Sequence, residues 1–402
     1  MKKIISLKVD KQFEDSLSKN HPWIFSKKFA NFKIRLKLSS VIQFLSKKSR
    51  FLAYGIFCGK DKLVSVRVLP FGQNFTRLQF LDFLISRFEE RISLLEHTDS
   101  LRLLHGENDG LPGLTLDYHA GTLMFRCYDE SLLLYVRFVS RAVFEVLNTR
   151  KDLHLLANNI LLMNPRRTSN SSGNYKKEIR VLRGSLPETI LIRYRDLKYS
   201  IRPGQQKGGI YNDIRNLRDF ISENPNLYTG KSVLNLFSNN GLLSELFLQN
   251  GAESVHSIED SQECIEVHKK NLKNPEKSII QKLDIFRNYQ KFSQEAQKKY
   301  DWIIIDPPSL TASGKDVHRA KVIYKKLIEI SLGILSEEGI LVVCSCSNRI
   351  HRNEFENIVG KAFSENAVNM KRIARLSPEI DHPVIREFPE GDYFKVLIYQ
   401  RL

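Results

Sequence analysis

Hydrophobic positions change their spacing twice along this chain. Up to about residue 75 they come in short runs, Val41 to Leu45, Phe51 to Phe57 and Leu63 to Leu69, separated by Lys, Ser and Gly, which predicts a small β-barrel or sandwich. From Arg77 to Glu96 the apolar residues Leu81, Leu84, Ile85, Phe88, Ile92 and Leu95 recur at helical spacing. Leu101 to Cys127 then reads as strands on both sides of a turn, Asn108-Asp109-Gly110-Leu111-Pro112-Gly113, and a second helical stretch runs from about Leu132 to Leu147. Asn164 to Asn174, with Arg166, Arg167 and many Ser, Thr and Asn, is expected to be a polar loop that moves. Together these predict a mixed α+β middle domain.

After Tyr199 the pattern alternates between buried strands and helices. Ser232 to Phe237, Ser254 to Glu259, Ile279 to Asp284, Trp302 to Asp306 and Ile340 to Cys346 are short β-rich runs. Each precedes a helical pattern: Leu242 to Asn250, Gln262 to Leu272, Phe286 to Lys299, His318 to Leu335 and His351 to Phe363. Five β-α units in a row predict an α/β domain with a parallel, doubly wound sheet. Asn369 to Leu376 and Tyr393 to Gln400 would close it, with an antiparallel edge. The expected domains are therefore residues 1–75, 76–190 and 191–402.

A length of 402 residues and 46.6 kDa agrees with two to three domains at roughly 150 residues each. The 42% share of hydrophobic residues excludes overall disorder. No run of about eighteen apolar residues is free of charge, and Lys8 interrupts the opening segment, so neither a membrane span nor an export signal is expected. Five scattered cysteines, Cys58, Cys127, Cys264, Cys344 and Cys346, read as reduced thiols of a cytoplasmic protein.

Charge sharpens the picture of the first domain. The chain carries +17 overall, and residues 1 to 75 hold sixteen Lys or Arg against four acids, or +12. A charge run alone is more often a solvated face than a binding site. Here aromatics interleave the excess (Trp23, Phe25, Phe29, Phe32, Phe44, Phe51 and Tyr54), a combination that suits phosphate attraction with base stacking and points to nucleic acid.

In a doubly wound sheet ligands bind at the carboxyl ends of the strands, so the residues closing each strand carry the chemistry. The first strand ends in Asn235-Leu236-Phe237 and turns through Ser238-Asn239-Asn240-Gly241 into a helix, where glycine lets backbone approach a ligand. Neither a dinucleotide fingerprint nor a phosphate loop is present. The second strand ends in Glu259, eighteen residues after Gly241, where a carboxylate can accept both hydroxyls of a ribose. The third ends in Asp284, placed to meet an adenine edge. Together these describe an adenosyl pocket without phosphates.

The fourth strand delivers Asp306-Pro307-Pro308-Ser309, whose prolines fix the backbone directly after an aspartate and can present it to the edge of a planar base. The fifth ends Cys344-Ser345-Cys346-Ser347. A buried cysteine is usually an inert small hydrophobe, but two at a strand's functional end point to a nucleophile. Residues two apart face the same side of a strand, so spacing leaves the two thiols equivalent; Cys346 lies nearer the open end. A zinc reading of Cys344, Cys346 and His351 lacks a fourth ligand, and no metal is expected.

These residues carry a resemblance. The last two hundred residues look like a class I S-adenosylmethionine-dependent methyltransferase, and the whole chain resembles the RlmI-type family of bacterial 23S ribosomal RNA cytosine carbon-5 methyltransferases. The similarity runs through His21-Pro22-Trp23-Ile24-Phe25, Gly106 to Leu114, Lys207-Gly208-Gly209 leading to Asp213, Arg215 and Arg218, Leu234 to Gly241, and Asp306 to Ser309. It continues in Ser345-Cys346-Ser347, Asp381-His382-Pro383 and Tyr393-Phe394-Lys395. It implies an N-terminal PUA domain, a small RNA-binding β-barrel, then a mixed linking domain and a Rossmann-like catalytic domain. The family usually shows Tyr-Thr-Gly-Gly-Phe where this chain has Asn239-Asn240-Gly241-Leu242-Leu243, and Lys-Thr-Gly-Phe-Phe where it has Lys207 to Tyr211. Those departures bear on cofactor affinity more than on fold.

Carried over, the resemblance assigns Asn235, Phe237, Gly241, Glu259, Asp284, Gly209 and Asp213 to S-adenosylmethionine, and Asp306 and Cys346 to chemistry. It implies 23S ribosomal RNA or a large-subunit assembly intermediate as partner, no membrane, and an oligomeric state, homodimer included, that the sequence leaves open. Carbon 5 of cytosine is a poor nucleophile, and thiolate attack at carbon 6 makes it an enamine. The rival readings are a guanine nitrogen-7 methyltransferase of a related branch, which needs no thiol, and a non-catalytic RNA-binding assembly factor.

Overall fold

The structure, a computed structural model, describes residues 4–30, 32, 34–60, 62–163, 179–205, 209–295, 299–311 and 316–402. The expected loop at Arg166 and Arg167, and Lys207 with Gly208, lie outside the described residues. The chain divides into two compact units: Met1–Arg195 with Pro203–Gly208 and Ile380–Gly391, and Asp196–Arg202 with Gly209–Glu379 and Asp392–Leu402.

The first unit holds two five-stranded sheets. One contains β1 (Ile5–Val9), β2 (Trp23–Phe25), β3 (Val41–Ser46), β4 (Phe51–Phe57) and β5 (Val64–Leu69) in the order β1-β3-β4-β5-β2. Two short helices, α1 (Lys11–Leu17) and α2 (Ser26–Phe29), accompany it; Asp10 caps α1 by accepting the Phe13 amide at 2.8 Å. Strict alternation in β3 sends Ile42 and Phe44 into a core with Phe13, Phe29 and Val66. This corrects the expected stacking surface at two of its seven aromatics, Phe29 and Phe44. Phe29 and Phe44 are fully buried, and the Trp23 indole donates to Glu107 at 2.7 Å while its ring packs on Phe388. Phe25 and Phe32 are half-buried, as are Phe51 and Tyr54, which lie 4.9 Å apart.

The other sheet contains β6 (Ser100–His105), β7 (Leu114–His119), β8 (Thr122–Cys127), β9 (Asn159–Met163) and β10 (Ile179–Arg183), ordered β10-β9-β8-β7-β6. Helices α3 (Arg77–Glu89) and α4 (Leu133–Thr149) share its apolar core through Leu84, Phe88, Val136, Val139 and Val143. A capping box between Thr76 and Gln79 starts α3. A further strand, β11 (Ile190–Tyr194), bridges to Thr98.

The second unit opens with β12 (Leu197–Ile201) and contains α5 (Arg215–Glu223). Its sheet then follows as alternating elements: β13 (Ser232–Leu236), α6 (Leu242–Gln249), β14 (Ser254–Glu259), α7 (Gln262–Asn271), β15 (Ser278–Lys282) and α8 (Ile285–Glu295). They continue with β16 (Tyr300–Ile305), α9 (Val317–Ile334), β17 (Leu335–Ser345), α10 (Arg352–Glu365), β18 (Met370–Leu376) and β19 (Lys395–Arg401). The order is β15-β14-β13-β16-β17-β19-β18, with β19 antiparallel to both neighbours. The central strands read as continuous apolar runs because both faces are covered: Ile303, Ile304 and Ile305 are all fully buried. All five predicted β-α units are present.

The antiparallel strand is not at the edge, as the sequence suggested, but one place in. Val396, Leu397 and Ile398 of β19 have no exposed face, whereas β18 exposes Lys371, Arg372 and Arg375, the charged pattern that protects a sheet edge. β17 also starts earlier than expected, because Leu335 already pairs with Tyr300 before a register shift at Glu338, which has φ 60°, and Gly339.

Candidate active site at the strand ends of the parallel sheet

The turn after β13 takes its shape from two left-handed residues, Phe237 (φ 63°) and Asn239 (φ 51°), followed by Gly241 (φ 83°) at the start of α6. Glycine is required at 241 because a Cβ there would collide with the buried imidazole of His268, which lies 3.5 Å from Glu245. The Phe237 ring sits 4.9 Å from Phe286. Asn240 ties the turn to the preceding segment: its amide donates to the Gly209 carbonyl, and its own carbonyl accepts the Tyr199 hydroxyl. Gly209 (φ 89°) is itself pinned against the backbone of Arg202, which a side chain would meet at 2.8 Å.

Glu259 closes β14. One oxygen accepts the Asn239 amide at 2.7 Å, and the other accepts the amides of Asp260 (3.1 Å) and Ser261 (2.9 Å). Burial pushes its carboxyl above the ordinary range, and the Ser261 and Asn239 amides act in the opposite direction. A carboxylate has about four lone-pair sites, so three amides leave capacity for a ribose hydroxyl.

Asp284 follows β15 by two residues instead of ending it. Its carboxylate accepts the Arg287 amide at 3.3 Å and pairs with the Arg287 guanidinium at 3.2 Å, opening α8. Asn235 is fully buried inside β13, and its amide donates to Ser244 Oγ at 2.9 Å, which meets Ser257 Oγ at 2.8 Å. Its amide nitrogen thus joins β13 to α6 and β14.

The other expected residues gather at the ends of β16 and β17. Two prolines stop β16 directly after the half-buried Asp306. Cys346 follows β17, is half-buried, and has its Sγ 3.7 Å from the Pro307 carbonyl. Cys344, two residues earlier, is fully buried, and burial followed by the charges of Asp306, Cys346 and Asp213 pushes its thiol well up. Asp213 is buried and accepts the Tyr393 hydroxyl at 2.8 Å. All five cysteines are free thiols.

Four residues that the sequence did not assign join this group. Burial, then Asp306, Asp213 and Cys346, push the Tyr211 hydroxyl upward. Tyr324 of α9 faces Ser345, Ser347, Cys346 and Asp306. Tyr393 binds Asp213, and Lys395 donates from Nζ to the Ser347 carbonyl at 2.9 Å. Tyr393 and Lys395 belonged to a segment noted for its resemblance. Tyr324 sits mid-helix, where sequence offers no chemical signal.

The residues of the first turn fit an adenosyl cofactor. Glu259 supplies a strand-end carboxylate, and the buried hydroxyl of Ser238 has no hydrogen-bond partner among the described residues. A parallel sheet with one inserted antiparallel strand, a glycine turn after its first strand and an acid after its second define a class I S-adenosylmethionine-dependent methyltransferase fold. Residues 218–371 match the methyltransferase small domain, and residues 7–71 match the PUA-like domain.

Over nearly its full length the chain is similar to curated proteins named ribosomal RNA large subunit methyltransferase I. That of Pseudoalteromonas atlantica is 27% identical, covering 96% of each chain. That of Aeromonas salmonicida is 28% identical, again over 96% of each. A solved structure described as "a putative sam-dependent methyltransferase from Streptococcus mutans" superposes with a TM-score of 0.77 at 20% identity, covering 98% of this chain and 100% of that one. Another, described as "a putative methyltransferase complexed with SAH", reaches 0.79 at 21% identity over the same shares. The two-module resemblance expected from the sequence is borne out. Among the described residues no helix is long and apolar enough to cross a membrane.

Proposed function

We propose that this protein transfers a methyl group from S-adenosylmethionine to carbon 5 of a cytosine in 23S ribosomal RNA, with Cys346 as covalent nucleophile and Asp306 holding the base. The coarser statement, S-adenosylmethionine-dependent methylation of large-subunit ribosomal RNA, is supported by the relatives, the fold and the PUA-like domain. In this reading residues 1–75 bind RNA, 76–190 link, 191–402 carry the chemistry, and the substrate is 23S ribosomal RNA or a large-subunit assembly intermediate.

The contrast between the two thiols carries the finer reading: Cys344 is sealed within the sheet, and Cys346 is half-buried at its open end. Attack by the Cys346 thiolate on carbon 6 would break the ring's aromaticity and make carbon 5 nucleophilic. Bound S-adenosylmethionine supplies an electrophilic methyl group. Loss of the carbon-5 proton then lets the thiolate depart with the ring restored. Asp306 would hold the exocyclic amine and nitrogen 3 of the base, and a proton shared between its carboxyl and nitrogen 3 would offset the negative charge that thiolate attack places on the ring. Glu259, Gly209, Asp213 and the turn from Asn235 to Gly241 would hold the cofactor, with Asp284 at its adenine.

A target RNA carrying 5-fluorocytosine tests the reading, because fluorine at carbon 5 cannot leave as a proton and the adduct should accumulate. Cys346→Ala is expected to abolish both adduct and methylation, and Cys344→Ala to keep both. An adduct that survives Cys346→Ala and disappears in Cys344→Ala would reverse the assignment. Methylation of a guanine with no adduct would overturn the cytosine reading altogether.

A further inference from the structure

We propose that Lys395 is a positioning residue for Cys346: a buried ammonium that fixes the main chain directly after the thiol and, through its charge, favours the thiolate. The proposal rests on the reading of Cys346 as nucleophile.

Lys395 opens β19 and stands opposite Ser345 in the antiparallel pairing with β17. Its side chain is fully buried. All three of its N–H groups have main-chain acceptors: the carbonyls of Ser347 at 2.9 Å, Asp392 at 3.1 Å and Tyr393 at 3.1 Å. The ammonium therefore joins the residue after Cys346 to the turn that enters β19. Through Tyr393, whose hydroxyl holds Asp213, the same turn reaches the segment before α5.

The bonding pattern matters for the charge. A buried cation normally takes a dedicated carboxylate, since desolvation is otherwise uncompensated. Asp392, the acid whose charge acts on Lys395, is engaged by Arg352 at 2.7 Å, and the hydrogen bonds of Lys395 go to neutral carbonyls. A methionine would fill such a place without a buried charge, so the position is explained better by what the charge does than by packing. The charged and titratable groups facing Lys395 are Asp392, Arg352 and Cys346. Among the described residues Tyr211, Tyr324, Cys344 and Lys395 face Cys346, with Asp306 and Asp213 in the same cluster. The carboxylates, and the Pro307 carbonyl that accepts the thiol proton, oppose ionisation of Cys346; Lys395 favours it. Burial, against the opposing effects of Asp392 and Cys346, brings the ammonium down to about 8, so it keeps its charge at neutral pH.

The test is the rate of iodoacetamide alkylation of Cys346 in the full-length protein, followed by peptide mass spectrometry against pH, with N-acetylcysteine as reference thiol. Wild-type Cys346 should reach a larger fraction of its high-pH rate at pH 7 than the reference does. Lys395→Met should cut the pH 7 rate about tenfold, with the difference narrowing above pH 9, and Lys395→Arg should restore most of it. A change in packing alone would alter the rate equally at all pH values. Equal pH profiles in wild type and Lys395→Met would overturn the proposal. If that variant does not fold, a wild-type profile matching the reference overturns it, and a more reactive one upholds it through Lys395→Arg. Trapping with 5-fluorocytosine RNA on the same samples separates the two readings. A Cys346 adduct with unchanged pH profiles removes only the role of Lys395, and changed profiles with methylation surviving in Cys346→Ala remove the nucleophile.

Discussion

Two sheets in this protein bury polar groups in opposite ways. In the sheet β6–β10, the strands β6 and β7 are buried along their whole length, yet one set of positions is polar and meets across the strands: Ser100 with His119, and Arg102 with Asp117. Arg102 binds Asp117 through Nε at 2.8 Å and a second nitrogen at 3.2 Å, and nearby Arg91 grips both oxygens of Asp109 at 2.7 and 2.9 Å. In the parallel sheet of the second unit the strand interiors are largely apolar, and the polar groups gather at the strand ends: Asp213 accepts the Tyr393 hydroxyl, Lys395 donates to carbonyls, and Cys346 lies near Pro307. Charges closed on each other within a sheet are committed to holding it together. Groups at the open end of a parallel sheet stand where a ligand can reach them.

The sharpest way to break this comparison is to remove one partner in each place. Asp117→Asn would remove the carboxylate charge that Arg102 pairs with, and about 3 to 5 kcal/mol of stability should be lost, the usual cost of breaking a buried pair. Cys346→Ala should cost less than about 1 kcal/mol, since only a half-buried sulfur is removed. Thermal unfolding and cofactor titration of both variants check this. A stable Asp117→Asn, or a Cys346→Ala that unfolds, would erase the distinction.

Acid should reveal the first sheet next. Burial holds the fully buried His119 down to about 4, so between there and 6.5 the unfolded chain binds a proton that the folded one does not. Stability is then complete above the unfolded value and falls as pH drops towards 4, by up to about 3 kcal/mol from this group. His105 is also lowered by burial and adds in the same direction. The Asp117 carboxyl, held down by Arg102 against its burial, gives stability present above the ordinary carboxylate range and lost below it. His119→Gln should flatten the slope between pH 6.5 and 4, which unfolding at a series of pH values measures.

The same contrast explains what could be read from sequence. The five β-α units were legible because continuous apolar runs and helical spacing are local patterns, and strand-end residues such as Glu259 and Asp306 follow from where those runs stop. The polar face of β6 and β7 was not legible: Arg102, His105, Asp117 and His119 are interspersed with apolar residues as they would be on a solvated strand, and nothing local says that the polar side is covered too. Lys395 was hidden for a related reason. A lysine beginning an apolar strand reads as a solvated end, and its burial depends on the Ser347 turn about fifty residues earlier in the chain. Inserting β19 inside the sheet instead of at its edge is likewise a non-local decision.

The smallest effect tests whether strand-end groups are available to a ligand at all. Glu259 accepts three backbone amides and still has lone pairs to offer, so Glu259→Ala should both loosen the Asn239 turn and remove an acceptor for the ribose. Affinity for S-adenosylmethionine should weaken by about 1 to 3 kcal/mol, the cost of leaving buried polar groups unpaired, while thermal stability moves less than in Asp117→Asn. Glu259→Gln separates the two contributions, because its remaining oxygen can accept the Asn239 amide but its NH2 group cannot accept from a second donor. Its loss should be intermediate. Because burial raises this carboxyl, wild-type affinity should start to fall on acidification above the ordinary carboxylate range, and the Gln variant should lack that dependence. Calorimetry at two pH values decides: unchanged affinity in Glu259→Ala removes Glu259 from the pocket, and the end of β14 would then resemble the closed pairs of the first sheet.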